Sequence, residues 1–254
     1  MNDLPASQAI LENQPNFRSL DGISAAGGRR IKRNMLYRSG GLSRLSEPDI
    51  TNLISLGICT VIDFRSDRER ESHPTVHLPT VRNSMRIVIN DVARDEAQKL
   101  MDAGDSQGMK KVLVNDYRRM IRHDHEKFAE FFQVLKETSC FPLVYHCAAG
   151  KDRTGLATLL LLSALGAGEH DIRQDYFASN IRLKALADKY VQKASEMGYD
   201  GEIVRPLMEV REEYLKAALD EIESRFGGMD SFLTNVLGVD FNLLREKFLD
   251  SHAE

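Results

Sequence analysis

Cys147 and Arg153 stand with five residues between them in the run His146-Cys147-Ala148-Ala149-Gly150-Lys151-Asp152-Arg153-Thr154-Gly155. A thiol, a guanidinium and a glycine-bearing turn at this spacing suit the handling of a phosphate ester. A thiolate is a strong nucleophile, favoured at helix N-termini and beside cations. Here Lys151 and Arg153 are the cations, and a helical pattern follows at once. The amides of a tight loop entering a helix lack intrahelical partners and point at an anion held in the loop. Arg153 can close the ring, its planar fork matching two phosphate oxygens. The expected reaction is in-line attack of Cys147 on phosphorus, loss of an alcohol or phenol, and hydrolysis of the phosphocysteine. Ala148, Ala149, Gly150 and Lys151 would form the cradle, with Thr154 offering a hydroxyl to the departing sulfur. Charge stabilisation comes from the loop and Arg153, so neither metal nor other cofactor is called for.

Competing readings explain less. A buried free cysteine is commonly just a small hydrophobe, but that leaves Gly150, Lys151, Arg153 and Thr154 unaccounted for together. A nucleotide-binding loop would need Gly at position 145 and Ser or Thr after Lys151, where the chain has Tyr145 and Asp152. A phosphate-binding module without turnover is the remote alternative, and it is expected to lack the nucleophile or the arginine. Both are present.

The string from His146 to Thr154 resembles the signature of the cysteine-dependent protein tyrosine phosphatases. Its Gly-Lys-Asp-Arg form resembles their atypical bacterial branch, which has lipid-phosphatase relatives. The likeness runs from about residue 15 to 250. It includes Asn16-Phe17-Arg18, Tyr37-Arg38-Ser39, Asp63-Phe64-Arg65, the Tyr214-Leu215…Ala218-Leu219 helix and Leu237-Gly238-Val239. The resemblance implies a protein tyrosine phosphatase, with phosphoinositide or dual Tyr/Ser/Thr specificity as the alternative at the same site. It also implies a helical lid near residues 185–205 and a leaving-group acid at a strand end, which would be Asp91. The rival acid is Asp152, since a carboxyl beside bound phosphate has its neutral form favoured by like-charge repulsion. The residues leave the two level. His146, Asp63 and Arg65 are expected as supporting residues, the last two fixing loops around the site as a charged pair.

Such a loop must be carried by a strand and continued by a helix. Phe141 to Tyr145 reads as a buried strand, and Leu156 to Leu165 as a buried helix stopped by Gly166. Strands are also expected over 58–64, with Cys59 in the core, and over 82–90. A first helix begins at a capping box, Ser46 with Asp49, and stops at Gly57. Residues 91 to about 110 read as a flexible polar piece, and 111–138 as helix broken near His123-Asp124-His125, with Asp124 capping the second part. Two histidines two apart do not share a helix face, so a metal site there is a minor reading. Helices follow over 169–184 and 207–226, with closing helices near the end. The fold expected is α/β: a short, largely parallel sheet with helices on both faces. Residues 15–254 form a single phosphatase domain, after a loosely held segment 1–14.

Composition adds boundaries. At 254 residues, 42% of them apolar and 28% charged, the chain can bury a globular core. Its net charge of −4 argues against a nucleic-acid partner. The expected partner is a phosphorylated protein or a phosphoinositide, and oligomeric state is not legible. Without an apolar run of roughly 20 residues, stable membrane insertion is not expected. Three cysteines give no even framework, so no disulfide is suggested. A working thiolate and the lack of an ordinary signal pattern indicate the cytoplasm, or secretion by another route.

Overall fold

The computed structural model describes residues 11–251. Its centre is the strand that carries the cysteine loop, β5 (Leu143–His146), flanked by β2 (Leu36–Ser39) and β3 (Thr60–Asp63). The two outer strands are β1 (Arg18–Ser19), antiparallel to β2, and β4 (Asn83–Arg86), parallel to β3. The order is β1-β2-β5-β3-β4, and β2, β5, β3 and β4 run parallel. Ser39, His146 and Asp63 pair across β2, β5 and β3, so three strand ends meet at one edge. Open α/β sheets place their ligands at this carboxyl edge.

Side chains alternate across the pleat, and both faces are buried. Leu36, Ile62, Leu143 and Tyr145 look into the large core. It is filled by α4 (Ser106–His123), α5 (His125–Glu137), α6 (Arg153–Leu165), α10 (Glu212–Phe226) and α12 (Phe241–Phe248). Tyr37, Val61 and Val144 look the other way, onto Leu53 of α1 (Glu47–Ser55). Helices thus cover both faces. The Ser46–Asp49 capping box is formed in full, and Gly166 ends α6 in the left-handed region. Helix α6 is buried nearly all round, which is why Leu156 to Leu165 carries no polar face.

Several expectations need correction. Residues 92–102 are helical (α3, Val92–Asp102), and α4 begins at Ser106, so most of the polar piece is not a loose flap. Its buried apolar side chains include Ala93 and Ala97, too small to mark a stripe in the sequence. Asp124 stands at the break before α5 but makes no side-chain cap bond; its carboxylate instead accepts from Arg119 Nη1 at 2.7 Å. Residues 11–14 are tied down: Leu11 is buried, and the amides of Glu12 and Asn13 donate to Asp49 at 2.7 and 3.1 Å. The remainder of the segment called loose, 1–10, lies outside the described residues, as do 252–254.

Cys59 and Cys140 form a disulfide, which the odd cysteine count had argued against. They are 81 residues apart, yet Cys59 immediately precedes β3, Cys140 lies three residues before β5, and β3 and β5 are neighbours, which brings the two Cα atoms to 5.6 Å. The bond lies at the opposite sheet edge from the cysteine loop.

The helices between α6 and α10 are α7 (Glu169–Arg182), α8 (Lys184–Glu196) and α9 (Gly201–Met208). Ala194, Ile203 and Val204 form a small cluster of their own, packed by Met101, Tyr199 and Met208, separate from the main core. A short α11 (Met229–Ser231) leads through a π turn toward α12. Among the described residues no helix is long and apolar enough to cross a membrane.

Candidate active site

The cysteine loop leaves β5 at His146 and enters α6 at Arg153, with Gly150 at φ +70°. Its carbonyls are held from outside. Asn16 Nδ2 donates to Ala149 O and Gly150 O, both at 2.9 Å, and Arg38 Nη2 donates to Gly150 O at 2.7 Å. The Gly41 amide donates to Ala148 O at 2.8 Å. In a trans peptide the N–H points opposite to the C=O. Tying these carbonyls outward therefore turns the amides of Ala149, Gly150 and Lys151 toward the loop interior. That is an anion-binding nest.

The clamp is itself buried. Asp175 of α7 accepts from Arg18 Nε at 2.7 Å and from Arg38 Nη1, and Arg18 Nη1 donates to Asn16 O at 3.0 Å. Burial alone would raise the Asp175 carboxyl, but Arg18 and Arg38 hold it below the usual carboxylate range. Burial and the neighbouring Arg38 lower Arg18 to about 10. The Asn-Phe-Arg and Tyr-Arg-Ser segments thus grip the loop.

Cys147 is free and buried. Arg153 is also buried. Its Nη1 and Nη2 fork onto Glu69 at 2.8 and 2.7 Å, and Nη1 also reaches Ile89 O at 3.1 Å. Three of the five guanidinium N–H donors are thereby used. The remaining pair, on Nε and Nη2, forms one edge with no hydrogen-bond partner among the described residues. Burial would raise Glu69, yet Arg153 and the Ser66 cap bring it down to about 2. Glu69, on α2 (Asp67–Ser72), was missed at the level of sequence. The capping box Ser66-x-x-Glu69 was its visible signal.

The other expected site residues lie as follows. Asp91 Oδ2 is 3.7 Å from Arg153 Nη2. Asp152, the N-cap of α6, accepts from Lys151 Nζ at 2.9 and 2.7 Å and from the Tyr117 hydroxyl at 2.8 Å. Lys151 is buried, with Glu209 O at the end of α9 3.5 Å away. Among the described residues the buried Thr154 hydroxyl has no hydrogen-bond partner, the sulfur of Cys147 included. His146 Nδ1 meets Cys147 O at 3.1 Å and stands 3.8 Å from Asp63 Oδ1. Burial lowers its pKa despite Asp63, so His146 is neutral near pH 7. Asp63 binds the Arg65 amide and guanidinium at 2.8–3.2 Å. Burial opposes but Arg65 and His146 lower its carboxyl. Arg65 continues to His73 O and Thr75 Oγ1, bracing segment 63–75 rather than hydrogen-bonding the loop. Asp116 was also missed: burial, with Asp91 and Asp152 nearby, raises it to about 6 against the pull of Arg119. Among the described residues no cluster could hold a metal ion.

A cysteine–arginine loop delivered by the central strand of a parallel sheet is a phosphatase architecture, and residues 10–250 match the tyrosine phosphatase family, to which the chain belongs. It is a phosphoric monoester hydrolase. A Cupriavidus necator protein named as a tyrosine-protein phosphatase is 34% identical over 242 residues, covering 92% of this chain and 85% of the relative. The Mycobacterium tuberculosis triple specificity protein phosphatase PtpB is 27% identical, covering 86% and 90% of the two chains. A Nostoc commune tyrosine-protein phosphatase is 26% identical, covering 81% and 70%.

Proposed function

We propose that the protein hydrolyses phosphotyrosine through a phosphocysteine on Cys147. The observation that carries this reading is the unused Nε–Nη2 edge of Arg153 beside a loop whose amides turn inward around a free cysteine. The Cys147 thiolate attacks phosphorus as the bond to the leaving oxygen breaks, and Asp152 protonates that oxygen. Water then attacks phosphorus, Asp152 takes back a proton, and the S–P bond breaks to return the thiolate. Ala148, Ala149, Gly150 and Lys151 cradle the phosphate, and the unpartnered Thr154 hydroxyl serves the departing sulfur. Asp152 is preferred as the acid because it is held at the loop rim by a hydrogen-bonded phenol. Asp91, beside Arg153, is the electrostatic companion of that side chain. His146, Asp63 and Arg65 support the strand ends around the loop.

Lys151 is the cation a multiply phosphorylated headgroup would use, but it is buried and paired with Asp152. That favours the simple monoester over the phosphoinositide. The triple specificity in the name of the mycobacterial relative keeps phosphoserine, phosphothreonine and lipid substrates as the second reading. The test is phosphate release from a phosphotyrosine peptide, a phosphoserine peptide and phosphoinositides, with chelator present. Turnover by the intact chain, abolished in Cys147→Ser, is expected, with the phosphotyrosine peptide fastest. Turnover retained by Cys147→Ser overturns the mechanism.

A further inference from the structure

Two buried phenols stand in line behind Asp152. The Tyr176 hydroxyl, from α7, donates to the Tyr117 hydroxyl, from α4, at 2.9 Å, and Tyr117 donates to Asp152 Oδ1 at 2.8 Å. Tyr117 is fully buried and Tyr176 is 2% exposed. The Tyr176 ring lies against Gly155 in the first turn of α6, where an added Cβ would stand 3.4 Å from it. Tyr117 packs on Tyr214, ring centroids 5.7 Å apart. Phenylalanine would fill both places equally well. A buried hydroxyl is costly unless hydrogen-bonded, so two in series at the catalytic loop call for an explanation beyond packing.

The line has a direction. Burial, and then the neighbouring Asp152, push the Tyr117 phenol well above its ordinary pKa, and burial does the same for Tyr176. Both stay protonated, so each can only pass its hydrogen bond toward the carboxylate. Lys151 reaches both oxygens of Asp152, whereas Tyr117 takes Oδ1 alone. The two oxygens are thereby made unequal: Oδ1 accepts two hydrogen bonds and Oδ2 one, so Oδ2 keeps the freer lone pair for a proton.

We propose that Tyr117, oriented by Tyr176, is a positioning residue that fixes the Asp152 carboxyl for proton transfer to the leaving oxygen. This rests on the phosphocysteine reading given above. In the first step the proton on Oδ2 moves to the leaving oxygen as its bond to phosphorus breaks. An ester with a basic leaving group depends on that proton, whereas one with an acidic leaving group departs nearly unaided.

The experiment compares kcat for phenyl phosphate and p-nitrophenyl phosphate in the intact protein, Tyr117→Phe, Tyr176→Phe, the double variant and Cys147→Ser. Thermal unfolding of each variant monitors folding. The expected result is a fall of about five- to tenfold in the phenyl-to-nitrophenyl ratio for Tyr117→Phe, a fraction of the full worth of a general acid. Tyr176→Phe should move the ratio the same way by less. The double variant should match Tyr117→Phe, because the two hydroxyls act through one chain. In an Asp152→Asn background, Tyr117→Phe should leave the ratio where it is. Equal losses on both esters, or a ratio that still shifts in the Asp152→Asn background, overturn the tyrosine assignment alone. Absence of turnover in the intact chain, or activity in Cys147→Ser, overturns the phosphocysteine reading and this assignment with it.

Discussion

Arg153 is divided between two tasks. Glu69 and Ile89 hold three of its donors and leave one planar edge, the edge proposed above to hold phosphate. Glu69→Gln keeps the shape but removes the charge opposite a buried guanidinium. Its carboxyl is held at about 2 against an ordinary 4.5, so its stabilisation is complete above about pH 4.5 and is lost as pH falls through 2. Thermal unfolding at pH 7 should show Glu69→Gln less stable by on the order of 2–3 kcal/mol, with the difference closing near pH 2. Its kcat should fall by about 10²-fold as Arg153 loses its aim, the scale of losing one oriented donor. An unchanged kcat would mean that Arg153 is positioned by something other than Glu69.

Among the elements, the loop between β5 and α6 depends on its closeness to β2. A Cβ at Gly150 would meet Ser39 O at 2.4 Å and Gly40 N at 2.5 Å, in a left-handed conformation that alanine resists. Gly150→Ala should cost more than about 1–3 kcal/mol, since clash adds to backbone strain. It should also weaken vanadate binding, measured by calorimetry; undiminished binding would show the loop free of β2. This loop was legible because its chemistry is local, and so were the Ser46 cap and the Gly166 stop. Helix α3 was not, because alanines mark its buried side. Glu69 escaped because its partner lies 84 residues away; Asn16 and Arg38 stood out in the resemblance, but their clamp on the loop did not, because hydrogen bonds to distant carbonyls leave no pattern in the chain.

On the scale of the whole molecule, the Cys59–Cys140 bond clips two adjacent strands at the sheet edge away from Cys147. Closing a loop of this length restricts the unfolded chain, and such a bond contributes about 2–4 kcal/mol. Mild reduction should therefore lower the melting temperature. It should also leave turnover at temperatures below the transition intact, because Cys147 takes no part in the bond. Loss of activity on reduction at low temperature would mean that strain passes along β5. The pairing was hidden in the sequence because it follows from strand order, which an odd count of cysteines does not disclose.

The strand order also bears on how a ribosome delivers this protein. The sheet reads β1-β2-β5-β3-β4, so its middle strand is the last to be made. The pairs β1–β2 and β3–β4 emerge first and have no shared partner until residue 146 leaves the exit tunnel. Asn16 waits 133 residues for the carbonyl of Ala149. During translation the nascent chain carries two unjoined strand pairs, each with exposed edges open to mispairing. The sheet closes only as Cys147, the proposed nucleophile, follows β5 out of the tunnel.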